Sequence, residues 1–167
     1  MRSNPIRKVV RAMLLGLLTA GIVSMAAVPQ DSQFISSQQC AVGGITLEMT
    51  SRDVRKHLGR PLKVTVDENA GIVYDEAEVW SYKDLSVHMG DGRVVGLTCD
   101  TQLYTTPDGA KVGDSVVVLF QLYGPTGSFA LNGDRLYSYR VQGTDKYLIF
   151  HVKGGKVWQI ELVLDDV

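Results

Sequence analysis

Past residue 60 the chain is dominated by short runs in which apolar and polar residues alternate. Leu85, Val87 and Met89 occupy alternate positions, and so do Val95, Leu97 and Cys99. Leu148, Phe150 and Val152 repeat the pattern near the C-terminus, followed by Trp158, Ile160 and Leu162. A period of two marks strands with one buried face. It predicts strands over 77–83, 85–89 and 93–99, with 63–66 as a further candidate. Gly90-Asp91-Gly92 and Gly154-Gly155 supply tight turns between neighbouring runs.

Two segments break the alternation with helix signals. Thr50 is a good N-cap, and Asp53 three residues later makes a partial capping box. Met49 and Val54 are spaced for a hydrophobic staple. Gly59 then suits the position after a helix, and Pro61 prevents resumption. A second helix is predicted from Asp114 or Ser115, as cap, to Gly124-Pro125, as stop. Val116-Val117-Val118 is a poor helix former that also suits a strand. The cap and stop residues decide for helix. Thr106-Pro107-Asp108-Gly109 before it reads as a β-turn.

The order of these signals occurs twice. Gly44…Thr50…Leu58-Gly59-Arg60-Pro61 corresponds to Gly109…Ser115…Tyr123-Gly124-Pro125 at an offset of 65. Trp80-Ser81-Tyr82 matches Tyr137-Ser138-Tyr139 at offset 57, and 85–89 matches 148–152 at offset 63. The expected fold is therefore α+β, with two tandem units over 44–105 and 106–167. Each would be a short helical segment packed on an antiparallel β-meander.

The N-terminus carries an address. Arg2, Arg7, Lys8 and Arg11 precede a charge-free apolar run from Ala12 to Val28, and Ser24-Met25-Ala26 offers small residues for cleavage. That is the form of a secretory signal peptide over 1–26. An uncleaved anchor is the rival, but 17 weakly apolar residues is the bottom of the spanning range. No Cys follows the run directly, as a lipoprotein would need. Residues 27–43 are mostly polar and read as a tether with Phe34-Ile35 as one apolar contact. The whole chain carries 17 basic and 18 acidic residues. Removing the four basic residues of the leader leaves 13 against 18, a net charge of −5 on 141 residues. This balance excludes binding driven by phosphate neutralisation or anionic lipid. Nucleic acid is not expected as a partner, and membrane is expected only through an uncleaved N-terminal segment. In an exported chain Cys40 and Cys99 are candidates for a disulfide. Two free thiols, one in the tether and one at a strand end, are the alternative.

The combination Gly44-Ile45…Met49-Thr50…Val54…Leu58-Gly59-Arg60-Pro61, then Trp80-Ser81-Tyr82, then Asp91-Gly92-Arg93-Val94 resembles the SmpA/OmlA (BamE-like) domain. It also resembles the tandem architecture of β-lactamase-inhibitor proteins. Thr106-Pro107-Asp108-Gly109, Val112-Gly113-Asp114-Ser115 and Tyr123-Gly124 carry the likeness in the second half. The resemblance implies a non-enzymatic envelope or secreted protein that works by protein contact.

Candidate chemistry is sparse. There is no Gly-x-Ser-x-Gly, phosphate-binding glycine loop, His-Glu-x-x-His or paired zinc motif, so no catalytic residue, metal site or cofactor is expected. His88 and His151 fall at matched strand positions, opposite the apolar face. They would share a surface if the halves formed one sheet. Trp80, Tyr82, Tyr137 and Tyr139 also recur at matched positions, as core under the helices or as an exposed binding face. Arg52, Arg55, Lys56, Arg60 and Lys63 form a basic cluster. Asp67, Glu68, Asp75, Glu76 and Glu78 follow as an acidic one, read as solvated surface or as a docking patch. The expected function is an exported protein-interaction module whose partner is another exported or envelope protein. An inhibitor of an exported enzyme, and a small ligand or metal binder using the two histidines, are the alternatives.

Overall fold

The computed structural model describes residues 33–67 and 73–165. The leader over 1–26, most of the first half of the tether and Glu68 lie outside the described residues. Among the described residues two helices, α1 (Ser51–Leu58) and α2 (Val116–Tyr123), accompany eleven strands. The short strands are β1 (Phe34–Ile35), β2 (Ala41–Val42), β3 (Ile45–Thr46) and β4 (Lys63–Val66). The central ones are β5 (Ala77–Tyr82), β6 (Leu85–Gly90) and β7 (Arg93–Cys99). After α2 come β8 (Ser128–Leu131), β9 (Asp134–Val141), β10 (Lys146–Lys153) and β11 (Lys156–Leu164). Among the described residues no helix is long and apolar enough to cross a membrane.

The expectation of two tandem α+β units is overturned. Nine strands form one sheet in the order β1-β9-β10-β11-β7-β6-β5-β4, with β8 also paired to β9, and the protein is predominantly β. The sheet is mixed, because β1 runs parallel to β9 while the other pairs are antiparallel. The physical reason is the pairing of β7 with β11, Cys99 opposite Ile160 and Leu97 opposite Leu162, which fuses the halves. Two unbroken apolar rows cross that junction. One runs Tyr82–Leu85–Cys99–Ile160–Phe150–Tyr137, the other Trp80–Val87–Leu97–Leu162–Leu148–Tyr139. Every member is buried in a single core, which cannot be divided into two.

Both helices and the N-terminal segment pack on this face, through Val54, Leu119, Tyr123, Ile35, Val42 and Ile45. Residues 33–43 are thus built into the molecule: Ile35 pairs with Val141, and Cys40, Ala41 and Val42 are buried. The Thr50 side chain accepts the Asp53 N–H at 3.3 Å, as its capping role requires. Ser115 precedes α2 without a side-chain cap bond, and α2 holds by burying Leu119 and Tyr123 against the sheet. Packing here outweighs the low helix propensity of three valines.

Each helix ends alike. Gly59 (φ 80°, ψ −158°) and Gly124 (φ 81°, ψ 162°) adopt conformations open essentially to glycine alone. The Tyr82 hydroxyl donates to the Gly59 carbonyl at 3.3 Å, and the Tyr139 hydroxyl to the Gly124 carbonyl at 3.0 Å. A sheet tyrosine thereby pins each helix terminus to the core. Gly59 isolates the backbone effect, since a Cβ there would meet no atom within 4 Å. Gly59→Ala is expected to lower stability by about 1–3 kcal/mol, read as an earlier urea midpoint with an unchanged slope.

Candidate functional site

The helices cover one face of the sheet and leave the other without helical cover among the described residues. Alternation puts Leu136, Tyr147, Ile149, His151, Glu161, Val163, Thr98, His88 and Val79 on that second face. Leu136, Ile149 and Val163 form a small separate cluster there, with Leu131 and Tyr147 against it. Phe129, opposite Leu136 on β8, is 48% exposed, and Trp158 is 39% exposed. Around the apolar centre lie polar contacts. His151 Nε2 approaches Glu161 Oε2 to 3.0 Å outside hydrogen-bond alignment, and its ring meets Trp158 edge-on at 5.6 Å. Gln159 donates to Asp100 at 2.7 Å, and His88 Nδ1 lies 3.4 Å from Asp67.

Trp158 arrives on this face through a β-bulge. The pairing slips between His151 and Val152, so that Val157 takes the core position and Trp158 is the extra residue. This corrects the grouping of Trp158 with Ile160 and Leu162. A like slip between His88 and Met89 puts Val94 opposite Met89 and buries both Val94 and Val95. Strict alternation does not reveal a bulge. The apolar spacing of three from Val157 to Ile160 was the available signal.

The recurring aromatics lie on the other side. Trp80, Tyr82, Tyr137 and Tyr139 are all buried under the helices. Tyr139 packs edge-on against Phe150 at 5.9 Å, and the Arg55 guanidinium stands 4.5 Å over the Trp80 ring. Burial pushes the Tyr139 phenol well above its ordinary range. These four therefore belong to the core and offer no binding surface. The two histidines share a face but not a site. Three strand spacings and four residues along the strands separate them, about 20 Å. Among the described residues no three His, Cys, Asp or Glu side chains gather as a metal site would need.

Cys40 and Cys99 are both free and buried, not bridged. Cys99 is held in the sheet between Leu85 and Ile160, its thiol donating to the Thr101 carbonyl at 3.4 Å. Cys40 lies in the N-terminal segment, within the fields of Lys146 and Tyr123. Burial raises both thiols, Cys40 to about 11, against a partial opposing pull from Lys146 on Cys40. Neither has the lowered pKa of a reactive thiolate.

No family model matches the chain, and no curated protein matches it. Solved structures do match. An extracellular protein containing an SCP domain from Bacillus anthracis str. Ames is similar at a TM-score of 0.52 and 8% identity, over 89% of this chain and 50% of that one. A cysteine-rich secretory protein from Staphylococcus aureus subsp. aureus Mu50 matches at 0.49 and 11%, over 77% and 48%. A DUF4309 family protein from Bacillus subtilis subsp. subtilis str. 168 matches at 0.45 and 16%, over 72% and 82%. The chain spans about half the length of the first two. At 8% identity the B. anthracis likeness is one of fold.

The buried protons set an alkaline limit. Burial raises Cys40 from 9.0 to about 11 and Tyr123 from 10.0 to about 12. The unfolded chain loses these protons first, so it binds fewer protons above about pH 9, and stability falls as pH rises from there through both folded values. Urea midpoints should therefore decline between about pH 9 and 12. Cys40→Ala should remove part of the decline between about 9 and 11, and a midpoint that holds steady to about pH 11 contradicts the assignment.

Proposed function

We propose that this chain is an exported, non-enzymatic protein-binding module that recognises another exported or envelope protein through the helix-free face of its sheet. The observation that carries the reading is the exposure of Phe129 and Trp158 on that face, beside the Leu136–Ile149–Val163 cluster. Partly exposed aromatics around an apolar centre, rimmed by polar side chains, make a surface suited to protein contact. Export is supported by the basic start, apolar run and small-residue end of residues 1–26. The fold is also similar to that of an extracellular protein. The sequence holds no catalytic motif, and among the described residues no three His, Cys, Asp or Glu side chains gather as a metal site would need, which favours recognition over turnover.

The test separates surface from core. Phe129→Ala with Trp158→Ala is expected to leave the urea midpoint nearly unchanged while abolishing crosslinking to the protein that wild type captures in the exported fraction. Trp80→Ala is expected to lose about 3–5 kcal/mol of stability instead. Capture undiminished in the folded double variant rejects this face as the recognition surface.

A further inference from the structure

We infer that the outer face of α1, with the turn that follows it, docks an acidic peptide segment of another protein, one that carries apolar residues between its carboxylates. Arg52, Arg55 and Lys56 stand exposed on α1, and Arg60 and Lys63 follow it, also exposed. Among the described residues none of these five forms an ion pair. The one acid of the segment, Asp53, turns its carboxylate to the Thr50 hydroxyl at 2.7 Å. Glu78 accepts the Trp80 indole N–H at 2.7 Å, while Arg55 lies over the ring of that same tryptophan. Outside 52–63 the described residues carry 8 basic and 14 acidic side chains. The cluster is a local reversal of the charge of the body that bears it.

Helix stability does not account for the whole cluster. Arg55 and Lys56 lie in the last turn of α1, where positive charge complements the helix dipole. Arg52 lies in the first turn, where positive charge opposes it. It also stands three and four residues before Arg55 and Lys56, the spacings at which like charges repel on a helix. An acid at position 52 would serve the fold better. Carboxylates of a bound partner relieve this repulsion, so charge supplies the complementarity. The apolar surroundings select the kind of anion. Leu62, beside Lys63, is 77% exposed, and Val64 is 45% exposed. A bare polyanion leaves these side chains in water, whereas a peptide with apolar residues among its acids covers them. An anionic bilayer would also cover them, but it is broad and flat. Asp75 and Glu76, exposed just before the Glu78 that pairs with Val66, would meet it with like charge. A peptide segment lies along α1 and Leu62 without reaching those acids.

The inference stands apart from the recognition face, which lies on the other side of the sheet from α1. The probe is a labelled glutamate-rich peptide with spaced leucines, titrated into the purified chain and followed by fluorescence anisotropy. It is expected to bind, and to bind less tightly as salt rises. Arg52→Glu with Lys56→Glu should weaken it about tenfold or more. Phe129→Ala with Trp158→Ala should leave it unchanged, which keeps this test separate from that of the recognition face. A matched peptide with serine in place of leucine, and vesicles containing phosphatidylglycerol, should bind more weakly than the probe. Arg52→Glu alone should raise the urea midpoint while weakening the probe, because it sets an acid in the first turn, four residues before Lys56. A probe that does not bind overturns the inference, as does binding indifferent to salt, to the double charge reversal or to loss of the leucines. Preference for the vesicles, or an Arg52→Glu variant no more stable than wild type, overturns it equally.

Discussion

The antiparallel contact between β7 and β11 is the constraint on which the rest of the architecture depends. Four residue pairs, from Gly96–Val163 to Cys99–Ile160, align the apolar rows of the two halves. Without that alignment each meander would present a strip of apolar side chains to water along β7 or β11. With it, the rows run through, and one core serves both helices. A one-residue slip at this seam would turn the whole row on one side away from the helices. The register is therefore held by burial on the helical face as well as by the backbone bonds.

Placing both helices and the N-terminal segment on the same side has a corollary for chemistry. Polar and half-exposed aromatic groups collect on the other side, where His88, His151, Trp158 and Glu161 reside. Tyr82 and Tyr139, candidates for recognition from the matched order of residues in the sequence, are committed to closing helix ends through Gly59 and Gly124. Their rings fill the core and their hydroxyls satisfy carbonyls that a helix terminus leaves unpaired. One side chain thus does both jobs at each helix end.

Much of the local structure was legible in the residues. Thr50 with Asp53, Gly59 with Pro61, and Ser115 with Gly124 located both helices, and strands 63–66 and 93–99 were bounded as found. The Asn132-Gly133 turn, with φ of 52° and 88°, carries a plain hairpin signal that the apolar periodicity alone does not register. The sheet was less legible because no local pattern encodes which strand meets which across the chain. The pairing of β7 with β11 is specified by matched rows of side chains that have meaning only once assembled. Bulges hid Trp158 for a related reason: one extra residue reverses the face of everything before it. The polar composition of 33–43 likewise concealed Ile35, Cys40 and Val42, whose burial comes from partners distant in sequence.

The position of β11 carries a last consequence for how the molecule comes into being. The last of the eleven strands in chain order lies at the centre of the sheet, flanked by β10 and β7. Until it emerges, β7 has no partner on its inner side and the two halves cannot cohere. Assembly is therefore governed by long-range contacts, which slow folding relative to local ones. A polypeptide arranged in this way stays open while everything before β11 is being made, and it closes only once that strand is free to insert.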